Sequence, residues 1–118
     1  MIVLGVAIAG AAGAVARAVV ETLVSARVRS RLPVGTLVIN VTGSFILGVL
    51  TGLVLYHGEP TSMRTVLGTG FCGGYTTFST FAWETVVVGD SRVATTNVVA
   101  SVVLSIAAAA IGLALAGL

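Results

Sequence analysis

The charged residues of this chain fall in a few short groups, and the intervals between these groups are long enough to cross a lipid bilayer. Residues 1–16, 35–56, 65–83 and 93–118 carry no charge. The hydrocarbon core of a membrane requires about 20 residues of helix. Water is absent there, so only helices and closed barrels satisfy the backbone hydrogen bonds of a spanning segment. The spacing of the charges therefore predicts transmembrane helices.

Composition supports this interpretation. The chain is 57% hydrophobic and only 8% charged, whereas about 25% of the residues in soluble domains are charged. All six basic residues are arginines, and they do not form the basic, aromatic-rich patch that nucleic-acid binding requires. The apolar segment Met1–Ala16 lacks a basic start and a cleavage site, so we expect it to be a span rather than a removable signal peptide.

We predict an all-α integral membrane protein with one domain, residues 1–118, and four spans at about 2–24, 35–56, 63–88 and 93–117. An even number of spans places both termini on one side of the membrane. The side without the termini holds Arg27, Arg29, Arg31 and Arg92, and the other side holds only Arg64. The positive-inside rule then predicts cytoplasmic arginine loops and external termini.

The third span contains residues that weaken a helix. Four glycines, Gly68, Gly70, Gly73 and Gly74, precede four hydroxyl residues, Thr76, Thr77, Ser79 and Thr80. Glycine and β-branched threonine have low helix propensity. Non-helical backbone at membrane depth is tolerated only where it is buried in protein or binds an ion. We predict that the third helix is broken at mid-membrane; a continuous helix that packs through its glycines is the alternative.

Small and polar residues recur at every fourth position in spans 2 and 4. Such stripes let helices approach closely, and their amides and hydroxyls find partners across the helix interface. Asn40 needs more than packing, because an amide in mid-span is unfavourable without hydrogen-bond partners. The stripe of span 2 comprises Thr36, Asn40, Ser44, Gly48 and Gly52, and the stripe of span 4 begins with Asn97, Ser101 and Ser105.

Three motifs resemble the CrcB/Fluc fluoride channel family: Gly13–Arg17, Gly35–Phe45 and, most specifically, the segment Gly70–Phe81 with the sequence GFCGGYTTFSTF. Ala18 departs from the family, in which an aromatic residue follows the arginine. The resemblance implies a fluoride-selective channel, not an enzyme, which passively exports fluoride across the plasma (inner) membrane and gives fluoride resistance. It also implies an antiparallel dimer with pores formed between the two subunits.

The resemblance further implies which residues line the ion pathway and which hold a structural sodium ion at the dimer interface. Sodium would be bound by the backbone carbonyls of Gly73 and Thr76. Neutral donors suit a strongly hydrated anion, because a pore must bind its ion and still release it. The two phenylalanine rings lie three residues apart on one helix face, and their positive edges also suit an anion. The implied pathway comprises Asn40, Thr77, Phe78, Ser79, Thr80, Phe81, Ser101 and Ser105.

Two charged residues near span ends allow structural roles. Arg17 either pairs with Glu21, one helical turn later, or provides positive charge at a vestibule of the pore or at the subunit interface. Glu84 is expected to cap the far end of span 3.

Other functions and assemblies stay open from the residues alone. A proton-coupled exporter would need a carboxylate within the membrane, and we expect all four acidic residues at span ends or in loops. A non-transporting assembly subunit would need neither the polar stripes nor the broken helix. The arginine bias fits a chain that inserts one way and pairs with an oppositely oriented paralogue, and a homodimer is the alternative.

Overall fold

The computed structural model describes residues 1–118 and is entirely helical. Three helices are long and apolar enough to cross a membrane, namely Ile2–Arg27, Val34–His57 and Ser91–Ala116. The chain is therefore a multi-pass membrane protein. In chain order its helices are α1 (Ile2–Arg27), α2 (Val34–His57), α3 (Thr61–Arg64), a π-helix (Thr65–Cys72), α4 (Gly73–Tyr75), α5 (Ser79–Val87) and α6 (Ser91–Ala116).

Residues at the helix ends explain where α2 stops and α6 starts. Gly58 follows α2 with φ +68°, a conformation that glycine adopts without strain, and the N–H groups of Gly58 and Glu59 both donate to the carbonyl of Leu53. Asp90 precedes α6, and its Oδ1 accepts hydrogen bonds from the backbone N–H groups of Arg92 and Val93. These two backbone hydrogen bonds hold the pKa of Asp90 below its usual value, and Arg31 adds to the effect.

The segment that was predicted to be the third span, and is called so below, consists of two helical parts. In its first part, residues 61–75, α3, the π-helix and α4 follow one another without a gap; we call this part the first half-helix, and α5 the second. The N–H and the hydroxyl of Thr76 both donate to the carbonyl of Cys72, at 2.9 and 2.8 Å. Thr76 itself is extended, with ψ 161°, so the helical path stops there and resumes at Ser79.

Glycines allow two pairs of helices to pack with their backbones in contact. Helix α1 lies against the first half-helix, where a Cβ atom at Gly13 would overlap the carbonyl of Phe71. Helix α2 lies against α6, where a Cβ atom at Gly48 would overlap the carbonyl of Ala109. Close approach of this kind is how membrane helices gain dispersion energy without a hydrophobic driving force.

Contacts between sequence-distant residues show which loops share an end of the bundle. Arg31, after α1, forms an ion pair with Asp90, before α6, at 3.0 Å. At the other end, His57 of α2 bonds to the carbonyl of Ala116 near the C-terminus. The arginine-bearing loops therefore lie together, at the end of the bundle away from the C-terminus.

Candidate functional site

A groove of about 500 Å³ runs between α2, the third span and α6. It brings together six of the eight residues predicted for the ion pathway and both residues whose carbonyls were predicted to bind sodium. Ser79 and Thr80 do not line it. The predicted residues along the groove are Asn40, Gly73, Thr76, Thr77, Phe78, Phe81, Ser101 and Ser105.

Asn40 binds the non-helical segment of the third span. Its Nδ2 donates to the carbonyl of Thr77, and its Oδ1 accepts from the N–H of Thr77, both at 2.9 Å. A carboxamide has two N–H donors, so one donor of Asn40 is left for another ligand. Asn40 thereby satisfies backbone groups that the helix no longer pairs and still presents a neutral donor to the groove.

The hydroxyl of Thr77 starts the second half-helix. Thr77 Oγ1 accepts a hydrogen bond from the N–H of Thr80 at 3.2 Å, as an N-terminal cap does. A hydroxyl that accepts can still donate its own hydrogen. Thr77 therefore adds a second neutral donor beside Asn40. Thr80 contributes its backbone to this cap, and Ser79 is exposed on another face.

Phe78 and Phe81 form a tilted pair at the start of α5. Their ring centroids are 5.7 Å apart, with an angle of 51° between the ring planes. Phe78 is 78% exposed, although it belongs to the wall of the groove. An aromatic ring this uncovered beside polar groups is available to a ligand or to a second protein surface.

Helix α6 contributes Ser101 and Ser105 to the lining of the groove. Ser101 is buried, and its Oγ lies 3.5 Å from Oδ1 of Asn97. Ser105 is half-buried one turn further along. Because residues four apart share a helix face, both hydroxyls lie on the same side of α6.

The two carbonyls predicted for sodium lie where the first half-helix ends. A Cβ atom at Gly73 would meet no atom within 4 Å, so the space beside this glycine is open. The carbonyl of Thr76 accepts from Nη1 of Arg17 at 3.5 Å, which leaves the second lone pair of that oxygen. Backbone oxygens are suitable ligands for a hard cation, and the open space at Gly73 fits such a group.

The position of Arg17 bears on one of its two predicted interpretations, the pair with Glu21. Arg17 is half-buried and points its guanidinium to Thr76, in the interrupted segment. It forms no ion pair with Glu21; the one ion pair of the structure joins Arg31 and Asp90. The pairing of Arg17 with Glu21, one of the two alternatives, is therefore wrong, and the role at a vestibule or at the subunit interface stays a prediction.

Glu84 does not cap the far end of the third span as predicted, because α5 continues to Val87. Its carboxylate instead accepts a hydrogen bond from the hydroxyl of Thr36 on α2. Both residues line a second cavity of about 410 Å³, together with Glu21 and Arg29. This contact links the second half-helix to α2 at the end of the bundle that carries the arginine loops.

Sequence reasoning missed several residues that line the groove. Ser44 lies four residues after Asn40, and its place in the polar stripe of α2 was the signal for it. Leu47, Val102 and Ile106 gave no signal, because apolar residues in a membrane span are common whatever they face. These residues make much of the groove wall apolar.

Comparison with known proteins gives a consistent result along the whole chain. A protein-family model described as CrcB-like protein, Camphor Resistance (CrcB), matches residues 4–113. The chain is 49% identical to fluoride-specific ion channel FluC 1 of Leifsonia xyli subsp. xyli, over 100% of this chain and 88% of the relative.

Two further relatives have similar names. Fluoride-specific ion channel FluC 2 of Cutibacterium acnes is 42% identical over 98% of this chain and 97% of its own length. Fluoride-specific ion channel FluC 2 of Mycobacterium tuberculosis strain H37Rv is 44% identical over 92% of this chain and 86% of its own length.

Proposed function

Because this chain belongs to the CrcB-like family, we propose that it is a fluoride-selective ion channel that exports fluoride passively across the plasma (inner) membrane. Relatives that are 42% to 49% identical to it are named fluoride-specific ion channels. The observation that carries the proposal is the groove, which neutral donors line together with the Phe78–Phe81 pair.

The donors of the groove replace the water of a small anion. The free N–H of Asn40 and the hydroxyls of Thr77 and Ser105 are uncharged, so they bind an anion without retaining it as a full positive charge would. The hydroxyl of Ser101 donates to Oδ1 of Asn97 and would have to turn from it to donate to the ion. Asn40 is already oriented by its two bonds to Thr77. A fixed donor loses little entropy when the ion arrives.

The phenylalanine pair provides a weaker electropositive contact for the anion. The edge of an aromatic ring is positive and its face is negative, so ring edges directed at the path attract an anion. Apolar side chains on the same walls, such as Leu47 and Ile106, exclude extra water. Larger anions lose more contacts than they gain in a passage lined in this way.

The groove is open on one side, and a second subunit in antiparallel orientation completes it. Phe78, at 78% exposure, and the open space at Gly73 are the features that such a subunit would cover. The second subunit is another copy of this chain or a paralogue. We place the non-helical residues 76–78 at mid-membrane, and Arg17 at the interface or in the vestibule beside them.

The carbonyls of Gly73 and Thr76 would hold a sodium ion at the dimer interface. Two oxygens are too few for a hard cation, and a second subunit doubles them. The bound ion would neutralise carbonyl dipoles that meet at the interface. Arg17 stays bonded to Thr76 and orients the same carbonyl from the side of α1.

The loop charges support an orientation with external termini. Four arginines lie at one end of the bundle, namely Arg27, Arg29, Arg31 and Arg92. The opposite end has one, Arg64, and Arg17 lies within α1. Positive loops are retained in the cytoplasm. Reporter fusions that place either terminus in the cytoplasm would contradict this orientation.

A flux assay on purified protein in liposomes tests the function. We expect fluoride to leave loaded vesicles without a proton gradient, as measured with a fluoride electrode. Phe78→Ala and Phe81→Ala should each reduce this flux by about tenfold or more, the factor that corresponds to 1.4 kcal/mol. Thr22→Val, which removes an exposed hydroxyl bonded only to its own helix, is the matched control and should conduct normally.

The other outcomes of the flux assay would each indicate a different function for this protein. Flux that requires a proton gradient would indicate an exporter, and Glu84, bonded to Thr36, would then be the first carboxylate to replace. Absence of any flux would indicate a non-transporting subunit. Normal conduction in both phenylalanine variants would refute the role of the ring pair.

A further inference from the structure

The second half-helix α5 carries the phenylalanine pair, but little apolar packing holds it. It has nine residues, none of them buried, and it starts after a non-helical segment. Isolated helices of this length are not stable by themselves. Something other than a hydrophobic core must therefore set the position of Phe78 and Phe81.

Polar contacts from two neighbouring helices supply this attachment. Thr36 of α2 bonds to Glu84, and Asn97 of α6 donates from Nδ2 to Oγ1 of Thr85 at 2.9 Å. A cavity of about 250 Å³, which Thr85 helps to line, lies beside the second contact. Packing between α5 and α6 is incomplete there, so the hydrogen bond between Asn97 and Thr85 is the main attachment of α5 to α6.

This link continues to the groove at both of its ends. Thr85 donates its hydroxyl to the carbonyl of Phe81 at 2.7 Å, while Ser101 lies 3.5 Å from Oδ1 of Asn97. The chain of hydrogen bonds thus runs from Ser101 through Asn97 and Thr85 to Phe81. It connects two residues that line the groove, Ser101 on α6 and Phe81 on α5.

Asn97 is not itself a wall residue. Its exposure is 1%, and together with Ile39 it is one of two large side chains that are fully buried. A buried amide without partners is strongly unfavourable in hydrocarbon, so its partners are fixed whenever the helix is folded. Its effect on an ion in the groove must pass through Thr85 and Ser101.

We propose that Asn97 is a positioning residue, which sets the distance between the phenylalanine pair and the serines of α6 and so determines how well the groove rejects anions larger than fluoride. The inference rests on the proposed function. Fluoride and chloride differ in radius, so a small outward movement of α5 admits chloride before it weakens fluoride binding.

The test uses variants of both partners in the purified full-length chain. Thr85→Val keeps the shape of the side chain and removes the hydroxyl, whereas Thr85→Ser retains the hydroxyl. We expect Thr85→Val and Asn97→Ala to lower the ratio of fluoride to chloride flux by about three- to tenfold, the range that polar contacts between membrane helices supply. Thr85→Ser should keep the wild-type ratio.

The double variant tests whether Asn97 and Thr85 act through the same hydrogen bond. If both residues act through one bond, Thr85→Val combined with Asn97→Ala should be no less selective than either single variant. Thr96→Val, which alters an exposed residue next to Asn97, is the matched control and should behave as the wild type.

Trp83 provides a readout that does not depend on transport. It is the single tryptophan of the chain and lies on α5, two residues before Thr85. We expect its emission and its quenching by acrylamide to change in Thr85→Val and Asn97→Ala but not in Thr85→Ser or Thr96→Val. If the wild type passes no fluoride, the proposed function fails, and Trp83 alone decides whether Asn97 positions α5. Unchanged emission and unchanged selectivity in Thr85→Val would overturn the inference.

Discussion

Asn40 and Thr77 form the most specific contact between side chain and backbone in the groove. The amide of Asn40 pairs with the N–H and the carbonyl of one residue, both at 2.9 Å. Unpaired backbone groups are costly in a membrane, so a side chain that pairs with both stabilises the interruption of the helix. The same amide retains one donor for an anion.

Replacement of Asn40 by aspartate tests the donor role. In Asn40→Asp the new carboxylate still accepts from the N–H of Thr77, but it can donate neither to the carbonyl of Thr77 nor to an anion, and it carries negative charge. Like charges about 4 Å apart repel by about 4 kcal/mol at an effective dielectric constant of 20. We therefore expect fluoride flux at neutral pH to fall by two orders of magnitude or more, as measured in loaded liposomes.

Gel filtration and circular dichroism of Asn40→Asp provide the control for folding. A monodisperse, helical variant without flux supports the donor role. Wild-type flux in such a preparation would show that the side chain at position 40 does not face the ion.

Glycines determine how closely α1 packs against the first half-helix. A Cβ atom at Gly13 would overlap the carbonyl of Phe71 and lie 2.9 Å from the N–H of Tyr75. At Gly10, one turn earlier on the same helix, the nearest atom would be the carbonyl oxygen of Gly70, at 3.6 Å. The second distance is an ordinary van der Waals contact.

These two glycines make a matched pair of variants. We expect Gly13→Ala to lower the thermal stability of the protein in detergent, because overpacking of this kind is unfavourable by about 1–3 kcal/mol. Gly10→Ala should be neutral or slightly stabilising, since alanine has the higher helix propensity. Equal melting temperatures for the two variants would contradict the packing of α1 described above.

The helical segments of the third span illustrate what local sequence can predict. Glycine and threonine between residues 68 and 80 predicted weak helix, and helical geometry is absent at residues 76–78. The π-helix over Thr65–Cys72 had no such signal, because an extra residue per turn depends on how α1 and α2 hold the segment. The depth of the interruption in a bilayer stays a prediction.

At the scale of the whole molecule, Gly73 lies on a surface against which no other part of the chain packs. The open space beside it explains no packing within the chain, and its φ of −64° is an ordinary helical value. A glycine there gives no local advantage, because alanine would favour the helix by about 1 kcal/mol. The absence of a side chain there agrees with the proposed second subunit or the proposed cation.

Replacement of Gly73 by alanine tests this surface. We expect Gly73→Ala to retain the melting temperature of the isolated chain and to weaken the dimer by about tenfold or more in dissociation constant, as measured by single-molecule photobleaching in bilayers. Gly10→Ala is again the control. A dimer of unchanged affinity would place the interface elsewhere on the bundle.

The sequence by itself determined the class of the molecule, an all-helical multi-pass membrane protein of the CrcB-like family, because charge spacing and local motifs are properties of contiguous residues. Only the tertiary structure decided the partners of individual side chains. Arg17 could meet Glu21 along its own helix, yet it reaches Thr76, and Glu84 reaches Thr36 rather than a helix end. Which faces of two helices meet depends on their rotation and close packing, and glycines far apart in the chain set both.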